Sequence, residues 1–202
     1  MTTYIPIGID CEISEFLRRK NLRKEALPFD WNVTPIESAF SLLENRFSDF
    51  LNPENLVYLP PTERLLFEEE GQDVKAERDI ITPVVCRKYG MLFPHDFSAA
   101  GVNDLEKVRD KYARRIQRLL ELLDSPAPKQ FVYRCSDVNV WQREQYTLAG
   151  EVFRSCSAER VRAVFDRLSI AGGSLISLDD LQVANLSFLK RGQRWASGLF
   201  RR

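Results

Sequence analysis

The sequence predicts a mixed α/β domain in which helices dominate, and three observations carry that expectation. Short apolar or β-branched runs, YIPIGI at 4–9 and QFVYRC at 130–135, have the length of buried strands. Longer segments between them repeat apolar residues at helical spacing. A chain of 202 residues with 44% hydrophobic and 11% aromatic content can also fill one core of domain size. One compact domain over 1–202 is expected, with 125–202 completing the sheet and docking a terminal helix.

Residues 4–9 end near Gly8 and read as a strand entering a turn. A helix follows from Cys11, with Ile13, Phe16 and Leu17 at helical spacing. Glu12 and Glu15 fall in its first turns and Arg18, Arg19 and Lys20 near its end, which complements the helix dipole. LPFDW at 27–31 breaks it, since Pro28 disfavours a helical predecessor and lacks a backbone donor. A second helix is expected from Thr34 to about Leu51, with Thr34 as N-cap, Pro35 at the first position and Glu37 closing a capping box. Its apolar stripe is Ile36, Phe40, Leu43, Phe47 and Phe50.

From Asn52 to Thr82 the breakers and acids of NPEN, LPPTE and FEEEGQD suggest irregular structure with a short strand at Leu56–Leu59, the charges lying on a solvated surface. Met91–Phe93 is a short apolar run ahead of Pro94 and the sole histidine, His95. The longest helix is expected over Asn103–Asp124, with Leu105, Val108, Tyr112, Ile116, Leu119, Leu120 and Leu123 along one face and Lys111, Arg114, Arg115 and Arg118 on a solvent-facing side. After SPAPK, QFVYRC reads as a strand, SAERVRAVFDRL as an amphipathic helix and GGSLISLDD as a turn into another strand. The tail from Ser187 carries Phe188, Leu189, Trp195, Leu199 and Phe200 at roughly helical intervals and should dock on the body.

Lys plus Arg and Asp plus Glu each number 29, so no global field draws the chain to nucleic acid or to an acidic membrane. No apolar run approaches the roughly 20 residues of a bilayer span, and MTTYIPIGID lacks a signal-peptide pattern, which makes the cytoplasm the expected location. Four cysteines at wide intervals, no CxxC pair and one histidine argue against a metal site and for free thiols. Phosphate-binding glycine loops, GxSxG and the two-histidine zinc motifs are absent.

What remains is one nucleophile and one base. Cys11, at a strand-to-helix junction, stands among unpaired N–H groups that favour a thiolate, and His95 can take and return its proton. Asp137, Asn139, Asp96 and Asp30 are candidates to orient the imidazole. Asp137 is preferred because it follows the histidine in sequence and sits at a strand end. The competing view makes Cys11 a core residue and His95 a loop residue packed beside Phe93 and Phe97.

The segments IPIGIDCEISEFLRRKNLRKEALPFDW, GMLFPHDF and KYARRIQRLLELL resemble the bacterial domain family of papain-like cysteine peptidases, over roughly residues 4–124. The resemblance is carried by Gly8 and Cys11, Leu17 and Arg18, Leu22 and Arg23, Pro28 to Trp31, His95 to Phe97, and Arg114 with Arg115. It implies a papain-like fold, with a cysteine at the N-terminus of a central helix and a histidine on a facing small sheet. It also implies acyl-enzyme chemistry on a peptide, amide or glycan substrate without a cofactor. Capsule-polysaccharide acetyltransferases are similar at the Gly-x-x-Cys turn, which makes a coenzyme A-dependent acyltransferase the alternative. A non-catalytic glycan- or anion-binding domain is the alternative of another class. Arg18, Arg23, Asp30 and Asp96 are candidate substrate or anion contacts, although a structural Arg23–Asp30 ion pair shielded by Trp31 is the favoured use of that pair.

Overall fold

The computed structural model describes residues 2–9, 11–70 and 73–184 and shows a mixed α/β fold. Its parallel sheet has the order β1 (Thr3–Ile7), β7 (Lys129–Tyr133), β8 (Gly173–Ser177), with Ile5 opposite Phe131 and Phe131 opposite Leu175. Covered on both faces, the inner strand β7 is apolar over Phe131, Val132 and Tyr133. Pro6 is tolerated because β1 is an edge strand. The Lys129 side chain, only 2% exposed, donates to the carbonyls of Ser125 (2.5 Å) and Ala171 (2.8 Å), tying β7 to the approach to β8.

Helix α1 (Glu12–Arg19) runs back along this sheet, with Glu12 and Glu15 in its first turn and Arg18 and Arg19 in its last. Ile13 and Leu17 pack with Val132, Leu178 and Leu181. The expected second helix is shorter than its stripe suggested: α2 covers Ile36–Glu44. Pro35 occupies the N-cap position, no side chain caps the helix, and Thr34 Oγ donates instead to Asn32 Oδ1 (2.6 Å), so the capping box does not form. Beyond Asn45 the chain takes positive φ at Arg46, Phe47, Asp49 and Leu51. The aromatic contacts that result give the reason: Phe47 meets Phe29 and Phe50, and Phe50 lies 5.3 Å from Tyr112. Packing overrides helix propensity there.

A second sheet is antiparallel, with β2 (Leu56–Tyr58), β5 (Val84–Cys86) and β6 (Met91–Phe93) in that order. Between β2 and β5 stands a long hairpin, β3 (Thr62–Glu70) with β4 (Asp73–Ile81), where irregular structure was expected. Helix α3 (Leu105–Asp124) buries Leu105, Val108, Tyr112 and Leu119, but it also buries Arg115, which the sequence had placed toward solvent. A capping box between Asn139 and Gln142 opens α4 (Val140–Leu148), a helix absent from the expectation, and Ser157 caps α5 (Ala158–Leu168). No helix among the described residues is long and apolar enough to cross a membrane. The tail from Ser187 lies outside the described residues.

Candidate active site

Cys11 is half-buried at the N-cap position of α1, where its carbonyl accepts from Glu15 N–H (2.9 Å). The turn that delivers it depends on Gly8, whose φ is +153° and whose added Cβ would lie 3.1 Å from Ile13 Cδ1. The Cys11 side chain makes no cap bond of its own, and its N-cap position sets the thiol beside the positive end of the helix.

Two backbone junctions tie this turn to the segment bearing His95. Thr34 N–H donates to the Gly8 carbonyl (3.0 Å), and Val33 and Leu92 exchange both of their backbone bonds (2.9 Å each). Cys11 stands three residues beyond Gly8, and His95 stands three beyond Leu92. A cluster under the junction contains Ile9, Val33, Leu92, Val138 and Tyr146, with Trp141 of α4 packed against it. Segments leading to Cys11 and to His95 therefore share one core patch with the start of α4.

The neighbours His95 and Asp96 part company. His95 is half-buried, whereas the Asp96 side chain is 4% exposed and turned inward. Asp96 pairs with Lys111 (2.5 Å) and accepts from Tyr112 Oη (3.0 Å), which in turn accepts from Asn32 Nδ2 (3.2 Å). Burial pushes the Asp96 carboxyl up, but the charges of Lys111 and Arg115 and its two hydrogen bonds outweigh this and hold it below its ordinary range. Burial also holds the Tyr112 hydroxyl well above the phenol range, so it stays a donor.

Arg23 and Asp30 form the ion pair read from the sequence (3.4 Å), with side chains 3% and 0% exposed, and Asp30 also accepts from Leu27 N–H (2.5 Å). Asp30 and Asp96 are buried where they hold the 27–31 loop and α3 in place, while Arg23, also buried, lines the cavity at the far end of α1. Arg18 is in the last turn of α1, roughly 10 Å of helix rise from Cys11. A cavity of about 400 Å³ lined by Tyr4, Leu22, Lys24, Arg118 and Glu121 lies at that same far end. Asp137 sits in the loop before α4, with Oδ1 accepting from Val138 N–H (2.9 Å) and Oδ2 bonded to Arg143 (2.5 Å); the Arg143 bond leads in holding its carboxyl below the ordinary range.

Two residues near the Cys11 turn were missed. The Arg64 guanidinium of β3 stacks over the Trp141 ring, with Cζ 3.6 Å from its centroid. Burial lowers the Arg64 pKa, and interaction with Cys11 opposes that lowering, which puts the cation within electrostatic reach of the thiol. Arg64 was hidden in a charge-rich stretch taken for solvated surface. Trp141 had a legible signal in the N-x-x-Q spacing of Asn139 and Gln142, which marks a helix start. The other three thiols have a different setting: burial pushes Cys86, Cys135 and Cys156 up.

Among curated proteins, "Uncharacterized protein R408" of Acanthamoeba polyphaga mimivirus is 28% identical over 137 residues, covering 65% of this chain and 60% of that protein. This relative is viral, so the bacterial character implied by the resemblance has no counterpart in it. No solved structure matches the chain. A family model described as "Putative papain-like cysteine peptidase (DUF1796)" matches residues 2–163, a span holding Cys11, Arg64, His95, Asp137 and Trp141, and the chain belongs to that family.

Proposed function

We propose that the protein is a cysteine-dependent amide hydrolase in which Cys11 is the nucleophile and His95 the acid/base. The observation that carries this reading is the position of Cys11 at the N-terminus of α1, directly after the Gly8 turn. His95 takes the thiol proton, and Sγ attacks the carbonyl carbon of the substrate to form a C–S bond. The C–N bond then breaks, and the departing nitrogen takes the proton from His95. Water, deprotonated by the same imidazole, attacks the thioester and releases the acid with regeneration of the thiol. Backbone N–H groups in the first turn of α1 are the proposed oxyanion donors. Because both oxygens of Asp137 are engaged by Val138 and Arg143, the dyad is proposed without it.

p-Nitrophenyl acetate tests the chemistry without a known substrate. Wild type should release a burst of nitrophenol and carry an acetyl group on the Cys11 peptide. His95→Ala should slow the burst about 10²-fold or more. Cys11→Ala should abolish it at unchanged thermal stability. A burst retained in Cys11→Ala overturns the reading.

A further inference from the structure

We infer that Arg64, stacked on Trp141, is a positioning residue that holds Cys11 in the thiolate form. This rests on the proposal that Cys11 is the nucleophile. The guanidinium is fixed by two elements that are remote in sequence. Arg64 stands two residues into β3 from Thr62, whose partner Ile81 bridges Ser98 in the loop after His95. Trp141 stands in the first turn of α4, held by the Asn139–Gln142 capping box and by the cluster that includes Ile9. A cation clamped 3.6 Å above an indole ring has little freedom to seek another anion.

Its surroundings separate it from the arginines that form ion pairs on the surface. Arg46, Arg109, Arg134, Arg143 and Arg160 each meet a carboxylate: Asp124, Glu106, Glu12, Asp137 and Glu37 respectively. Among the described residues Arg64 has no such partner, and its Nε is buried with no acceptor. Asp79 lies opposite it in the hairpin register, but the Asp79 carboxylate accepts from Ile80 N–H (2.7 Å). Burying part of a guanidinium without a compensating acceptor is unfavourable, and an anion next to it offsets that cost. Trp141 packs on the cluster that includes Ile9, two residues before Cys11, so the stacked cation stands by the Cys11 turn, where ionisation of the thiol supplies an anion. Other charged groups on the flanking elements include Glu63 on β3; Glu12, paired with Arg134, Glu15, paired with Arg19, and Arg18 on α1; Asp137, paired with Arg143, before α4; Glu144 on α4; and His95 after β6.

The test is the pH dependence of Cys11 alkylation by limiting iodoacetamide from pH 5 to 9, read by peptide mass spectrometry. Cys86, Cys135 and Cys156 serve as references in the same digest. Wild type should show a Cys11 midpoint well below the free-thiol value of about 8.5. Arg64→Gln should raise that midpoint by about one pH unit or more, cutting the rate at pH 7 up to tenfold. Arg64→Lys should recover part of the shift, and Trp141→Leu should move the midpoint in the same direction as Arg64→Gln by a smaller amount. A low wild-type midpoint that stays put in Arg64→Gln overturns the inference and leaves the nucleophile reading standing. A wild-type midpoint near the free-thiol value overturns the nucleophile reading itself. If Arg64→Gln exposes the buried Cys86 to reagent, that variant has lost its fold, and Arg64→Lys and Trp141→Leu decide: unshifted midpoints in both overturn the inference.

Discussion

The region around Asp96 and the rim around Cys11 handle charge in opposite ways. Around α3 the buried charges lie against opposite charges: Asp96 meets Lys111 and Tyr112 with Arg115 near it, and Arg23 meets Asp30. On the rim, Arg64 meets an aromatic face, and the Cys11 thiol, which carries charge only when deprotonated, acts on it electrostatically. Paired charges fix the loop at 27–31 and the helix behind it, but they do no chemistry. A cation beside a group that gains charge by losing a proton biases a reaction. Adjacent residues, His95 and Asp96, are divided between the two roles.

Asp96→Asn should break the first region with the largest effect. It would leave Lys111 and Arg115 near each other without the carboxylate, and removal of one partner from a buried pair costs about 3–5 kcal/mol. The sign of the pH dependence follows from the lowered carboxyl. A folded-state pKa below the unfolded value of about 3.9 contributes stability that is fully present above that pH and is lost as pH falls through the folded value. Urea unfolding midpoints from pH 7 to 2.5 should therefore fall more steeply below about pH 4 in wild type than in Asp96→Asn. Parallel curves would show that Asp96 does not carry the acid-side loss.

Gly8→Ala sharpens the comparison from the other side, because Gly8 belongs to the rim's backbone. A side chain at φ +153°, with its Cβ 3.1 Å from Ile13 Cδ1, should cost about 1–3 kcal/mol and displace the turn that carries Cys11. Thermal unfolding should show the loss, and Cys11 alkylation should slow more than that of Cys135. Equal slowing of both thiols would mean that the strain spreads through the fold and the turn is not its focus.

How much of this was legible follows from which residues carry a pattern of their own. The α1 helix was readable because Ile13 and Leu17 are spaced for one buried face and its charges follow the dipole. The strands β1, β7 and β8 were readable as short apolar runs. TERLLFEEE and DVKAERDII show no clean apolar alternation, so the β3–β4 hairpin, whose register runs from Thr62 opposite Ile81 to Glu70 opposite Asp73, had no signal in hydrophobicity. Arg115 looked like solvent-facing charge because Asp96, nineteen positions earlier, is what makes its burial tolerable. Residue type and junction picked out Cys11 and His95. Arg64 becomes visible only when β3 is brought over α4, a tertiary fact with no trace in local sequence.

The smallest predicted effect probes the link between fold and rim. Asn139 Oδ1 accepts from Gln142 N–H (2.9 Å), and Gln142 Oε1 accepts from Asn139 N–H (3.0 Å), so both ends of the box close on the turn that holds Trp141. Asn139→Ala removes one side of that exchange and should cost about 1 kcal/mol of global stability. The loosened first turn also loosens the indole under Arg64, so the Cys11 alkylation midpoint should rise by a fraction of the Arg64→Gln shift. Asn139→Ser, which can still cap, should restore both. A stability loss with an unmoved Cys11 midpoint would break the link: packing against Val138 and Tyr146 would then suffice to hold Trp141, and the cap would belong with Asp96 among the devices that serve the fold alone.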